Sequence, residues 1–237
     1  MLELEIRHKS FGARTVLRDV QLTVAPREIV GVLGPSGCGK STLLRIAAGL
    51  DQAYEGAVRL AGSTGVMFQE PRLMPWLNVA DNVGFPLGHK KGNDPRVARL
   101  LEEVALSDAA AKYPKELSGG MAQRAAIARA FVTEPKLILL DEPFSAVDAF
   151  TRARLQDLLL RVASHHGTSV LLVTHDIDEA LYLSDRVLVL GGPGSGGRVA
   201  GEYALDAPRP RDRGDAHLNQ LKSRILELLA PAEARAA

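Results

Sequence analysis

Three short apolar runs divide this chain, and each one ends in residues suited to phosphate chemistry. Ile29 to Leu33 (IVGVL), Leu137 to Leu140 (LILL) and Ser169 to Thr174 (SVLLVT) show no polar alternation. That is the pattern of parallel strands buried on both faces. The amino-terminal stretch reads differently. Leu2, Leu4 and Ile6, then Val20, Leu22 and Val24, alternate with polar residues, which predicts antiparallel strands with one wet face. Thr42 to Ala48 has helical spacing and meets no breaker before Gly49. Leu155, Leu158, Leu159 and Val162 recur at helical intervals and predict an amphipathic helix that covers a sheet. From about 73 to 130 the character changes. Pro71, Pro75, Pro86, Pro95 and Pro114 punctuate helical stretches such as Val97 to Leu106, so this segment reads as a helical insertion. Gly191 to Gly197 (GGPGSGG) reads as a flexible connection between strands at Arg186 to Leu190 and near Val199. The tail, about 211 to 230, begins basic and ends amphipathic, a surface helix on the core.

The chemistry sits at the ends of these runs. Gly34-Pro35-Ser36-Gly37-Cys38-Gly39-Lys40-Ser41 follows the first strand and opens a helix at Thr42. Glycines let backbone N–H groups curl around an anion, and the helix N-terminus adds a favourable dipole. Lys40 suits the β- and γ-phosphates of a nucleotide, and the Ser41 hydroxyl suits Mg²⁺. The second run leads into Asp141 and Glu142, the third into His175. In an open parallel sheet, ligands bind outside the carboxyl ends of strands, so all three can converge on one nucleotide. Asp141 suits Mg²⁺, and Glu142 suits activation of the attacking water. A second helix N-terminus follows Leu117-Ser118-Gly119-Gly120, with the Ala-rich stretch Met121 to Ala130 behind it. Ser118 reads as its cap, and exposed N–H groups there form another anion site. One nucleotide has no room for both from a single core. A head-to-tail pair resolves this, each Ser118 turn closing over the γ-phosphate that the other subunit holds.

These strings together resemble the ATP-binding subunits of ABC transporters, over residues from Leu2 to about Leu229. The resemblance implies an α/β fold: a P-loop NTPase (RecA-like) core, an N-terminal antiparallel β subdomain and an inserted helical subdomain. It implies that Phe11 stacks on adenine, that residues Gly34 to Thr42 bind ATP with Ser118, Gly119 and Gly120, and that Ser41, Gln69 and Asp141 serve Mg²⁺. Glu142, His175, Gln69 and Lys40 are then the catalytic set. Ser145-Ala146-Val147-Asp148 resembles the loop that contacts the opposite subunit. Met121 stands where many members carry glutamine, Val147 where leucine is usual, and Phe11 replaces a commoner tyrosine. The segments FQEPRLMPWLNVADNVGFPL and PRPRDR…LKSRILELL resemble importers for nitrate, aliphatic sulfonates and taurine. The implied partners are a second ATP-binding subunit in a head-to-tail pair, either an identical copy or a paralogue, transmembrane permease subunits, and through them an extracytoplasmic solute-binding protein. The alternative is a non-transport ABC ATPase that transmits ATP-driven motion to a membrane partner. Glu70 to Trp76 is the candidate grip on the permease; Trp76 is either that anchor or a core aromatic.

Composition narrows the picture a little. A net charge of +1 argues against nucleic acid as a partner. One cysteine, Cys38, excludes an internal disulfide and fits a reducing compartment; it reads as a small loop side chain, with reach by thiol reagents as the alternative. No apolar run approaches the roughly 20 residues that span a bilayer, and the start lacks a signal-peptide pattern. The expected location is the cytoplasmic face of the membrane, as a peripheral subunit. The 237 residues suggest one large unit with an insertion. His165 and His166 read as a solvated helix end.

Overall fold

The computed structural model describes residues 1–88, 91–191 and 196–229. The middle of the expected glycine connection and the last position of the expected tail helix therefore lie outside the described residues. In chain order the elements are β1 (Leu2–Phe11), β2 (Arg14–Val24), β3 (Ile29–Leu33), α1 (Lys40–Ala47), β4 (Glu55–Leu60) and β5 (Thr64–Met67). Then come α2 (Val79–Gly84), α3 (Pro95–Glu103), α4 (Gly119–Phe131), β6 (Leu137–Asp141) and α5 (Ala149–His166). The chain closes with β7 (Ser169–Thr174), α6 (Ile177–Leu183), β8 (Arg186–Leu190), β9 (Val199–Ala204) and α7 (Ala216–Leu229). It divides into two compact units, one of Met1–Ala61 with Ser169–Ala237 and one of Gly62–Thr168.

The first unit contains two sheets. In one, β1 pairs antiparallel with β2 and with β4. Leu2, Leu4 and Ile6 are buried at alternate positions of β1, as the amino-terminal alternation predicts. In the other, β3 lies parallel to β7 on one side and β8 on the other, and β9 adds antiparallel to β8. All five residues of β3 and all six of β7 are buried, which is why both read as unbroken apolar runs. Gly31 marks a close approach between this sheet and a helix end. A Cβ there would lie 2.5 Å from Ser184 Oγ, just past the end of α6.

The tail belongs to this unit. Leu218, Leu221 and Ile225 of α7 are buried in one cluster with Ile177, Leu181 and Val189. Each such side chain contributes roughly 1.5–3 kcal/mol by leaving water. Arg211, just ahead of α7, is buried and donates to the carbonyls of Leu181 (3.3 Å), Tyr182 (3.2 Å), Ser184 (2.6 Å) and Leu205 (3.2 Å). The last carbonyls of a helix have no partners within it, and this guanidinium supplies them for α6. Burial pulls its pKa below the ordinary arginine value, with nearby Asp185 opposing the shift.

In the second unit β5 and β6 form a parallel pair, and α2, α3 and α5 pack on α4. Asn78 caps α2 by accepting from Asp81 N–H, and Asp94 caps α3 by accepting from Arg96 N–H. Pro95 occupies the first helical position of α3, where its missing N–H costs nothing. Pro95, which interrupts the pattern in sequence, thus starts a helix in the structure. The helices α2, α3 and α4 all fall within or close to the 73–130 stretch.

Arg211→Ala strips donors from several buried carbonyls, each worth about 1–3 kcal/mol when left unpaired. The variant is expected to lose about 2–4 kcal/mol, read as a lower urea midpoint at unchanged slope.

Candidate nucleotide site

The phosphate loop leaves the centre of the first unit's parallel sheet. Leu33 is the last residue of β3 and pairs with Thr174 of β7. Gly34 and His175 therefore leave neighbouring strands at the same level. Gly34 has no space for a side chain: a Cβ would come within 2.6 Å of Cys38 Sγ and 2.9 Å of the Leu190 carbonyl. Gly39 caps α1 with φ +105°, a left-handed conformation that only glycine adopts cheaply. Pro35 is half-buried, while Ser36 and Gly37 are exposed. Lys40 is buried, and its ammonium donates to the carbonyls of Gly34 (2.7 Å) and Pro35 (3.2 Å). The loop's own backbone thus holds the charge at the mouth of the turn. Ser41 and Thr42 follow on the first turn of α1, both half-buried.

Cys38 is the small loop side chain that the sequence suggests. Its side chain is buried, which pushes the thiol above its ordinary pKa, with Lys40 offsetting part of that rise. A shielded, protonated thiol is a poor nucleophile, so reach by thiol reagents does not follow from its place in the loop. It serves as a small packing residue against Gly34.

His175 is exposed on a turn braced from below. Thr174 Oγ1 accepts from the Asp176 N–H (3.0 Å) and donates to the Glu179 carboxylate. Asp176 in turn caps α6 by accepting from the Glu179 N–H. Phe11 ends β1 with 54% of its surface exposed, leaving ring area for stacking. The Lys9 ammonium lies 4.4 Å from its centroid and is fixed by Asp51 (2.7 Å) and the Ala53 carbonyl (2.9 Å). The Lys9 hydrogen bond holds the Asp51 carboxyl below the usual range.

In the second unit Met67 pairs with Leu140, so Gln69 and the pair Asp141–Glu142 leave the same end of β5 and β6. Gln69 is exposed and both acids are half-buried. Glu142 has φ +47°. Such a backbone costs a non-glycine residue about 1–2 kcal/mol, and the surroundings enforce it. Ser145 donates to the Glu142 carbonyl through its N–H (3.3 Å) and its hydroxyl (3.1 Å), and Phe144 is buried. Gln123 of α4, itself buried, donates to the Pro143 carbonyl.

Ser118 caps α4 as expected, its Oγ accepting from Met121 N–H at 3.3 Å. Ser118 and Gly119 are exposed, Gly120 is half-buried, and the first turn of α4 holds no acid to neutralise its dipole. Asp148 caps α5 by accepting from Phe150 N–H and Thr151 N–H; a hydrogen bond with the Thr151 side chain, helped by these N–H groups, holds its carboxyl below the usual range.

Trp76 is 72% exposed, so it is not a core aromatic. Its loop is rigidly held. Asn82, fully buried, accepts from Met74 N–H (2.7 Å) and donates to the carbonyls of Met74, Leu77 and Asn78. Arg129 at the end of α4 donates to the carbonyls of Arg72 (2.8 Å) and Pro71 (2.5 Å). Reading the sequence missed Gln123, Asn82 and Arg129. The one available signal was a polar side chain inside an apolar helical stretch, clearest for Gln123 among alanines. Of the two histidines, His165 is exposed at the helix end as expected, and His166 is not. His166 is only 13% exposed and meets Glu103 at 3.0 Å.

A family model described as ABC transporter matches residues 17–145, just over half of the chain. The aliphatic sulfonates import ATP-binding protein SsuB 2 of Burkholderia lata is 56% identical over 244 residues, spanning all of this chain and 89% of that protein. Its SsuB 1 counterpart in Pseudomonas syringae pv. syringae is 53% identical, spanning 98% of this chain and 97% of that protein. Among solved structures, a dimeric post-hydrolysis state of the ATP-binding cassette MJ0796 bound to ADP and Pi matches with a TM-score of 0.74 at 31% identity. That match covers 88% of this chain and all of the other. Strand order, loop geometry and full-length likeness agree: the chain belongs to the ABC transporter family, as an ATP-binding cassette.

Proposed function

We propose that two copies of this chain hydrolyse ATP at shared sites and so drive uptake of an aliphatic sulfonate through separate permease subunits. The observation that carries the solute is the whole-length identity of 56% to a protein named for aliphatic sulfonate import. The phosphate loop, with its buried Lys40 and left-handed Gly39, supports the nucleotide reading.

ATP is the substrate. Lys40 takes the β- and γ-phosphates, Phe11 stacks on the adenine, and the N–H groups of residues Gly37 to Thr42 cradle the anion. Mg²⁺ fits the donors present: a hydroxyl at Ser41, a carboxylate at Asp141 and an amide oxygen at Gln69 are hard oxygen ligands. When bound, it neutralises charge on the phosphates. Glu142 orients the water and takes its proton as the oxygen attacks the γ-phosphorus in line, and ADP leaves. The strained backbone at Glu142 supports this role, since a turn whose main-chain carbonyls are held by Ser145 and Gln123 presents its side chain from one fixed position. His175 donates to the γ-phosphate. Ser118, Gly119 and Gly120 of the partner subunit close over the same phosphate; their exposure and the acid-free start of α4 support that reading.

Among the described residues no helix is long and apolar enough to cross a membrane. The permease is therefore assigned to other chains, with this one on their cytoplasmic side and an extracytoplasmic solute-binding protein delivering the sulfonate. Trp76 is the proposed anchor on the permease, since exposed tryptophans on rigid loops make strong interface contacts. Arg129 then links that loop to the helix that begins at Ser118, so closure at one end of α4 is felt at the other.

The function is tested by reconstituting the chain with its permease and binding protein in vesicles. ATP-dependent uptake of an aliphatic sulfonate is expected; ATP turnover with no solute movement supports the non-transport alternative. Glu142→Gln should bind ATP with little change while phosphate release falls about 10²- to 10⁴-fold. Trp76→Ala should leave the ATP affinity of the isolated chain unchanged and weaken its association with the permease by about tenfold or more.

A further inference from the structure

Glu103, His165 and His166 each present a ligand atom, and these atoms all lie within 4.8 Å of one another. Two of them are nearly in place for a metal. Zinc bonds of about 2.0–2.1 Å in tetrahedral geometry set donors roughly 3.3 Å apart. His166 Nε2 and Glu103 Oε2 stand at 3.0 Å, so an ion entering between them needs the pair to part by only a few tenths of an ångström. His165 is exposed, and rotation of its side chain closes the remaining gap at little cost.

The surroundings hold these groups still. The His166 ring packs against Phe131, centroids 5.7 Å apart. Gly167, with φ +59°, terminates α5 in a left-handed cap whose N–H groups return to Ala163 and Ser164. The backbone beneath both histidines is thereby fixed. On the other side Arg124 donates to the carbonyls of Val104 (3.0 Å) and Ala105 (2.7 Å), pinning the turn that follows Glu103. Side-chain exposure of 13% at His166 and 20% at Glu103 means that most of their water is already gone.

We infer that Glu103, His165 and His166 bind one divalent late-transition-metal ion of the zinc class, clamping the end of α3 to the end of α5. Two imidazoles and one carboxylate favour zinc, cobalt or nickel over magnesium and calcium, which take oxygen ligands. Three protein ligands leave a fourth position for water. None of these residues belongs to the nucleotide machinery, so the site is independent of ATP turnover.

The test uses the full-length, nucleotide-free chain. Zinc is titrated against a chromophoric chelator, and cobalt is added separately as a spectroscopic probe. Expected are one saturable ion per chain, visible cobalt bands of four-coordinate strength without a thiolate charge-transfer band, and a higher thermal midpoint with zinc. His165→Ala removes an exposed ring and should weaken zinc binding at least tenfold while ATP affinity stays unchanged; Glu103→Gln should do the same. His8→Ala, remote in sequence and in the other unit, should change nothing. Non-saturating uptake, a thiolate band assigning the ion to Cys38, or unchanged affinity in His165→Ala would each overturn the assignment. Should Glu103→Gln unfold, the His165 arm decides alone.

Discussion

The register of β3 against β7 is the constraint on which the nucleotide reading depends. Leu33 opposite Thr174 brings Gly34 and His175 out of the sheet at one level. Alternation cannot set this register, because both strands are buried on both faces and a slip would bury the same kinds of side chain. Gly31 sets it instead. Ser184 crowds the space where a Cβ would stand, so a one-residue slip would drive Val30 or Val32 into the end of α6. One missing methyl group thus decides where the phosphate loop begins.

Buried polar side chains do a related job in the loops. Asn82, Arg129, Gln123 and Arg211 all donate to backbone carbonyls that no strand or helix satisfies. In a low-dielectric interior such carbonyls are costly when unpaired. Each brace therefore gives an irregular segment one conformation. The segments so held include the two proposed to act, the Trp76 loop and the turn with Glu142, together with the junction that docks α7. Rigidity where chemistry or docking occurs has come from polar residues; regular elements rely on apolar burial.

Much of the fold is legible from the chain alone. IVGVL, LILL and SVLLVT are β3, β6 and β7, and the alternation of Leu2, Leu4 and Ile6 is the wet-faced β1. Ser118 caps α4 where the glycines suggest it. Less legible were features set by contacts between residues far apart in sequence. His166 looks like a frayed helix end, yet Glu103, 63 residues away, and Phe131 enclose it. Trp76 could be read either as core or as surface until the brace from Asn82 turned its loop outward.

Local pattern by itself determined which segments are strands and helices, where the phosphate loop and the Ser118 turn lie, and hence the family. Those properties depend on neighbours within a few residues: side-chain periodicity, glycine's freedom at Gly39, a hydroxyl beside the first N–H groups of a helix. Tertiary structure alone decided the bracing of the Glu142 turn by Gln123 at the Pro143 carbonyl, the capping of α6 by Arg211 and the meeting of Glu103 with two histidines. Each of these results from satisfying or crowding a group by a residue remote along the chain. No local window contains both partners.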